Sequence, residues 1–285
     1  MSFRSLVKSI RDFPPVLGIL VRCFRAIQQF GWRIPERVFQ HLPYRGPVQV
    51  VVPNGAGFTI QSNGGAIENG LYWRGIFAHE PESMRQWLEH ASNARCVMDI
   101  GANSGVFALS AAAAGARAVH AFEPLPRVYR ILEANVRNNS SNRVYAWPYA
   151  VGGKAGLAEL YDPGIGGDAP TSASLSAQFA HDHFGDLPST SVEVITIDEF
   201  CAREGLGPVD LIKLDVEGFE EHALRGMQAT ILRDRPVLLI EVLPEYEVRL
   251  RAVVVELLGE GYHWQAIQEG DGSPNRNVLL RPVHV

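Results

Sequence analysis

The chain has 285 residues, 46% hydrophobic and 20% charged, the make-up of a globular protein large enough for one α/β domain with an appended segment. Its formal net charge of −5 argues against a whole-protein nucleic-acid binder, because phosphate contacts need a clustered positive surface. Cys23, Cys96 and Cys201 are odd in number, far apart and without metal spacing, so they read as free or buried thiols of a reducing, cytoplasmic compartment.

Residues 1–45 read as helical and basic, broken by Pro14-Pro15 and Pro35. Within residues 1–37, Arg4, Lys8, Arg11, Arg22, Arg25, Arg33 and Arg37 face only Asp12 and Glu36. The apolar run 16–21 is too short to span a bilayer, which takes about 20 apolar residues, and Arg22 and Arg25 interrupt its continuation. No small-residue cleavage site of signal-peptide type is evident. Two readings follow: an amphipathic helix packed on its own domain, which is favoured, or one making peripheral contact with an anionic membrane surface.

Two apolar segments, 48–52 and 57–60, flank Pro53-Asn54-Gly55, and Asn-Gly is a strong hairpin signal. A helix is expected over 80–91, with Pro81 in its first turn. From Cys96 onward, short apolar runs alternate with helical stretches. Strands are expected at 96–100, 118–122, 144–150, 211–214 and 237–242, with final strands at 263–267 and 277–280. Helices are expected at 105–114, 127–138, 220–232 and 246–258. Repeated βα units with near-continuous apolar strands predict a doubly wound, mostly parallel sheet covered on both faces, with its ligand beyond the carboxyl ends of the strands at the switch point. The Gly-, Pro- and Ser-rich stretch 161–191 interrupts this alternation and reads as a structureless substrate-side lid, centred on 162–190. The division expected is a helical and hairpin extension, 1–92, followed by a cofactor-binding domain, 93–285.

The first βα turn, Asp99-Ile100-Gly101-Ala102-Asn103-Ser104-Gly105, ends a strand in an acid and continues as Gly-x-x-x-Gly. Gly101 and Gly105 permit a tight turn and close backbone approach. Asp99 can accept from an ammonium group, and the next helix offers free N–H groups. Neither the Gly-x-Gly-x-x-Gly of dinucleotide enzymes nor a phosphate-loop motif is present. Glu123-Pro124 follows at the tip of the second strand, where an acid can accept both hydroxyls of a ribose; Pro124 and Pro126 weaken the alternative of a helix cap. Tyr149-Ala150-Val151, ending the third strand, is placed to border an adenine. A nucleoside with an amino-acid tail is S-adenosylmethionine.

Asp215 and Glu217 lie at the end of the fourth strand and Glu241 at the end of the fifth. Acids crowded at a switch-point edge are expensive unless used in binding, metal ligation or proton transfer, so these three are the candidate catalytic residues. Glu217 and Glu241 could instead hold loop backbone or Lys213. His120 reads as a core position, and His181, His183 and His222 as packed or solvated. Tyr72-Trp73 reads as packing under the N-terminal segment.

Met98-Asp99-Ile100-Gly101-Ala102-Asn103-Ser104-Gly105, Phe122-Glu123-Pro124, Ser174-Leu175, Thr196-Ile197-Asp198-Glu199-Phe200 and Ile212-Lys213-Leu214-Asp215-Val216-Glu217-Gly218-Phe219-Glu220 together resemble the FkbM family of S-adenosylmethionine-dependent methyltransferases. Leu224-Arg225-Gly226 and Ile240-Glu241-Val242 add to the likeness, which covers about residues 71 to 267. The resemblance implies a Rossmann-like class I methyltransferase fold, with a seven-stranded sheet whose last strand is antiparallel. It implies O-methylation of a hydroxyl on a sugar, glycan or natural product. It places Asp99, Gly101 and Asn103 around the methionine moiety, Glu123 at the ribose and Asp215 facing the methyl donor. A variant has Asp215 and Glu241 holding Mg²⁺ against vicinal hydroxyls. From another class, a nicotinamide-dependent oxidoreductase on a similar fold is the rival reading, disfavoured by the missing glycine fingerprint.

Overall fold

The strands of the main sheet are apolar at nearly every position because both of its faces are covered. The computed structural model describes residues 14–32, 34–139, 142–164, 173–269 and 276–283. Residues 1–13 of the basic segment and residues 165–172 of the expected lid lie outside them. In chain order the first elements are α1 (Pro14–Gln29), α2 (Glu36–Phe39), β1 (Arg45–Val51), β2 (Gly57–Asn63), α3 (Ala66–Arg74) and α4 (Pro81–Ala91). The βα alternation then runs β3 (Cys96–Ile100), α5 (Val106–Ala114), β4 (Ala118–Phe122), α6 (Pro126–Arg137) and β5 (Val144–Trp147). After it come β6 (Ala150–Val151), β7 (Gly156–Tyr161), α7 (Ala177–Phe184), β8 (Ser189–Ile195), α8 (Ile197–Arg203) and β9 (Leu211–Leu214). The chain closes with α9 (Glu220–Arg225), α10 (Gln228–Asp234), β10 (Val237–Val242), α11 (Glu247–Leu258), β11 (Tyr262–Ile267) and β12 (Arg276–Pro282).

Seven strands form the main sheet in the order β11-β12-β10-β9-β3-β4-β5. β12, last in sequence, runs antiparallel between β10 and β11, while β10, β9, β3, β4 and β5 are parallel. The architecture is the doubly wound class I methyltransferase fold with an N-terminal helical and hairpin extension. Its switch point falls at β3, from which the chain winds first to β4 and β5 and later to β9 and β10.

The hairpin β1–β2 pairs in register around the Asn54-Gly55 turn. Asn135 of α6 ties it to the domain: its Oδ1 accepts from Gln61 N at 2.9 Å and its Nδ2 donates to Ser104 O at 2.8 Å. Val50, Phe58, Ile60 and Trp87 share one core cluster with Val97 and Val119 of the sheet. Glu269 caps α4, accepting from Glu82 N and Ser83 N at 2.9 Å each. Leu17, Leu20, Val21 and Phe24 of α1 pack with Phe39, Leu42 and Trp73, and Tyr72 stacks on Tyr44, so this aromatic pair is packing under the N-terminal segment. His120 is buried against Tyr145, Trp147 and Phe200, a core position as expected. Among the described residues no helix is long and apolar enough to cross a membrane. All three cysteines are free thiols.

Three elements depart from the sequence expectation. The strand expected over 144–150 breaks at Pro148, which has no N–H for the ladder, and Ala150–Val151 joins a second sheet of order β6-β8-β7. The helix expected over 220–232 divides at Gly226-Met227, because Gly226 presses on β6's exit: a Cβ there would lie 1.9 Å from Gly152 O. The stretch 161–191 is not structureless. It carries α7, whose Ser176 hydroxyl accepts from Phe179 N at 3.1 Å as an N-cap.

Candidate active site

A cleft opens at the carboxyl ends of β3, β4, β9 and β10, floored by the turn after β3. That turn is built by backbone. Gly101 N and Ala102 N both donate to Phe122 O, at 3.0 and 2.9 Å. Gly101 has φ +82, and a Cβ on it would fall 1.8 Å from Asp215 O, so only glycine lets β3 and β9 exit this close together. Asn103 takes a positive φ of 49 and donates its N–H to Glu123 Oε2 at 3.0 Å.

Asp99, 1% exposed, lines the cleft, and neither carboxylate oxygen makes a well-formed hydrogen bond. Burial pushes its carboxyl up to about 6, opposed chiefly by the Lys213 ammonium. The register explains the neighbour: Asp99 pairs with Lys213 across the parallel β3–β9 ladder. Lys213 Nζ, itself buried, donates to Asp215 Oδ2 at 2.5 Å and lies 4.5 Å from the centre of the Phe107 ring. Burial alone would lower its pKa, but Asp215, Glu80 and Asp99 around it raise it.

Both oxygens of Glu123 are engaged by backbone, Oε1 by Leu125 N at 2.9 Å and Oε2 by Asn103 N at 3.0 Å. The carboxylate thus braces the turn ahead of α6, whose N-cap is Leu125, without capping the helix itself, and each oxygen keeps the capacity for a further hydrogen bond. Burial raises its carboxyl to about 7. Pro124, Tyr149 and Ala150 line the adjacent wall. Gly105 is not among the lining residues. It is required behind the turn, where φ is +93 and a Cβ would meet Leu132 Cδ1 at 2.7 Å.

On the far side, Asp215, Glu217 and Glu241 converge, one oxygen from each lying within 4.8 Å of the others. The β9–β10 register runs to Leu214 and Ile240, so Asp215 and Glu241 are the next residues on adjacent strands. Like charges this close cannot all ionise together. Burial and Asp215 push Glu217 up to about 9 and hold Glu241 well above the usual carboxylate range. Glu241 and Asp215 share a hydrogen bond. Holding of loop backbone, expected of Glu217 or Glu241, falls to Glu220, whose Oε1 accepts from Val216 N at 3.2 Å and Gly218 N at 3.1 Å.

Glu80 is a cleft residue that sequence reasoning missed. It holds a left-handed backbone (φ +44) just before α4, with His79 Nε2 3.2 Å from Oε1 and Asn277 Nδ2 donating to Oε2 at 3.0 Å. Burial opposes its ionisation, but His79, Lys213 and Asn277 bring the carboxyl down to about 2. Beyond the adjacent His79, its partners Lys213 and Asn277 stand 133 and 197 positions along the chain; a non-glycine residue before a helix-opening proline was the only local signal. His79 and Ile67 also line the cleft, whereas His222 stacks on Phe219 and His181 is exposed, neither of them lining it.

A seven-stranded sheet with one antiparallel inner strand, a glycine turn over a buried acid and a second acid on the next strand define a class I methyltransferase. The family model of the methyltransferase FkbM domain matches residues 99–263. Over 245 residues the chain is 30% identical to the 31-O-demethyl-FK506 methyltransferase FkbM of Streptomyces tacrolimicus, covering 76% of this chain and 90% of that one. It is 28% identical over 149 residues to the 2-O-methyltransferase NoeI of Sinorhizobium fredii (strain NBRC 101917 / NGR234), covering 49% of this chain and 60% of that protein. Among solved structures, the methyltransferase FkbM of Methylobacillus flagellatus KT superposes with a TM-score of 0.47 at 14% identity, covering 92% of this chain and 60% of that chain. The chain belongs to the FkbM methyltransferase family. Membership decides between the two enzyme classes that the sequence left open, in favour of methyl transfer over nicotinamide-dependent oxidoreduction.

Proposed function

We propose that the chain transfers a methyl group from S-adenosylmethionine to a hydroxyl of a sugar, glycan or natural-product acceptor. The observation that carries the cofactor is Asp99, a buried carboxylate neither of whose oxygens makes a well-formed hydrogen bond among the described residues, beside a turn kept low by Gly101. Such a group is costly to bury alone and fits an ammonium. Asp99 would hold the amino-acid tail along the backbone of Gly101, Ala102 and Asn103. Glu123 has a lone pair left on each oxygen for the ribose hydroxyls, and Pro124, Tyr149 and Ala150 would border the base. When bound, S-adenosylmethionine supplies an electrophilic methyl group.

The acceptor side rests on the three carboxylates. Orientation of the hydroxyl is the larger contribution and proton removal the smaller. Asp215, held by Lys213, is positioned to hold the acceptor hydroxyl and take its proton, with Glu217 and Glu241 as neighbours that share it. The names of the relatives support an oxygen acceptor, since one acts on 31-O-demethyl-FK506 and another is a 2-O-methyltransferase.

The cofactor test is calorimetry with S-adenosylmethionine. Asp99→Asn should weaken binding about ten- to hundredfold, the worth of a charge-assisted hydrogen bond, without lowering the melting temperature of the free protein. Unchanged affinity would overturn the assignment. With an acceptor found by following S-adenosylhomocysteine release across a panel of sugars, glycans and polyketides, Asp215→Asn should bind cofactor normally and lose about 10²- to 10⁴-fold in turnover. Full turnover in that variant would remove its role.

The proximity of three carboxylates favours a second reading, in which they hold Mg²⁺ and the metal orients vicinal hydroxyls. It requires that thorough chelation abolish activity and that added Mg²⁺ restore it; activity indifferent to chelator leaves the metal-free reading standing.

A further inference from the structure

α1 has two apolar faces. Leu17, Leu20, Val21 and Phe24 point inward and are covered by Phe39, Leu42 and Trp73. Ile19, Cys23, Ala26 and Ile27 follow one another at spacings of four, three and one, which is a second stripe about 125° around the helix from the first, and Phe30 follows it just past the helix end. This outer stripe is open to solvent: Ile19 is 60% exposed and Phe30 85%, and Trp32, just past the helix end, is 74% exposed. The chain bends there at Gly31, whose φ of +88 closes the helix.

The charge around the stripe is of one sign. From Pro14 to Pro35 there is no acidic residue, while Arg22, Arg25 and Arg33 are present. Arg22 and Arg25 are both exposed and lie on the flank that leads from the outer stripe back to the protein. An apolar stripe ending in Phe and Trp and edged by arginine suits the headgroup layer of an anionic bilayer, where aromatic rings settle at the interface and cations meet lipid phosphates. A second copy meeting this face by two-fold symmetry would bring the same arginines together without an acid between them.

We propose that α1 docks the protein on anionic lipid surfaces through this outer stripe while its inner stripe stays packed on the domain. The two fates that the sequence posed as alternatives are two faces of one helix. The bracing is short: α1 packs on Trp73 of α3, and α3 supplies Ile67 to the cleft wall and Glu68, which accepts from Ser104 Oγ in the floor turn at 2.6 Å. The docked face is therefore one helix removed from the cofactor turn. The inference holds independently of the acceptor assigned above.

The test is co-sedimentation of the full chain with phosphatidylcholine vesicles, alone or with roughly a third phosphatidylglycerol. The protein should pellet with the anionic vesicles, less so as salt is raised, and the double variant Phe30→Ser/Trp32→Ser should partition at least about tenfold more weakly. Arg22→Glu should weaken it at least about fivefold. All three side chains are exposed, so circular dichroism should be unchanged. Failure to pellet with anionic vesicles would overturn the proposal, as would equal binding to neutral vesicles with no effect of Arg22→Glu. A dimer in sedimentation velocity that Phe30→Ser/Trp32→Ser dissociates, without vesicle binding, would assign the stripe to a second copy and equally overturn it.

Discussion

Gly101 and Gly105 sit in one turn, yet they are needed for different reasons. A Cβ at Gly101 would strike the backbone oxygen of Asp215, which belongs to a neighbouring strand and cannot move alone, whereas one at Gly105 would meet only the tip of Leu132. Both have positive φ, so each alanine carries roughly 1–2 kcal/mol of backbone strain. Gly101→Ala adds the clash and should abolish cofactor binding together with several degrees of melting temperature. Gly105→Ala should cost only the strain and leave cofactor affinity within about twofold, because it does not line the cleft. Calorimetry and thermal melts on the pair check the order; equal loss of binding would mean that Gly105 touches the ligand. Asp99, Gly101, Glu123 and Asp215 were legible because each ends a strand or occupies a turn within a few residues of an apolar run. Glu80, Lys213 in its bonding role, and Glu220 were not. Glu80 answers to Asn277 far along the chain and Lys213 meets Asp99 only through strand register, which a linear pattern does not carry. Glu220 turns back on its own loop at Val216 and Gly218, a fold of the chain that its spacing alone does not mark.

Strand limits were the most legible elements, because burial on both faces leaves an uninterrupted apolar run with polar residues at its ends. The interrupting segment was least legible, since its order comes from scattered contacts, among them the Tyr161–Ser174 bridge, the Arg127–Asp162 pair and the hydroxyl of Ser174. Ser174, 1% exposed, donates from Oγ to Glu217 O at 2.6 Å and accepts from Ser176 N at 3.0 Å. Ala173 and Leu175 on either side line the cleft, and Ser176 caps α7. One hydroxyl therefore fastens the segment to the loop that carries Glu217. Ser174→Ala would leave two backbone groups without their partner, a cost of about 2 kcal/mol. Limited proteolysis should then cut within residues 173–190 several times faster than in the parent, with the sheet's protection from hydrogen exchange unaltered. A cleavage rate equal to the parent's would show that α7 is held by its own packing on Phe179. The same logic explains the divided helix after β9, because the glycine that breaks it answers a close approach to Gly152 and not a local propensity.

Among the described residues, the carboxyls displaced by their surroundings fall into two groups with opposite dependence on pH. Asp210, paired with Arg95, and Asp234, paired with Arg233, are held low despite burial, and Glu80 is brought to about 2. A depressed carboxyl stabilises the fold above its unfolded value, near 4, and that contribution is lost only as pH falls through the folded value. Asp99, Glu123 and Glu220 are displaced the other way, to about 6, 7 and 7, chiefly by burial. Such a group binds its proton more tightly in the folded chain, so its contribution is complete below the unfolded value and declines as pH rises toward the folded one. The two sets leave the free protein most stable near pH 5, with a loss across the neutral range that the outer ion pairs do not offset. Its melting temperature should fall by about 3 °C or more between roughly pH 5.5 and pH 8. Saturating S-adenosylmethionine should remove part of that fall, because an ammonium beside Asp99 makes the ionised form the favoured one. Scanning calorimetry over this range, with and without the cofactor and with Asp99→Asn alongside, separates the contributions. The variant should melt less steeply with pH than the parent when free, and the cofactor should no longer change its slope. A free protein whose stability rises from pH 5.5 to 8 would mean that the buried acids of the cleft are already paired in the free protein, and Asp99 would then not be the group that receives an amino-acid tail.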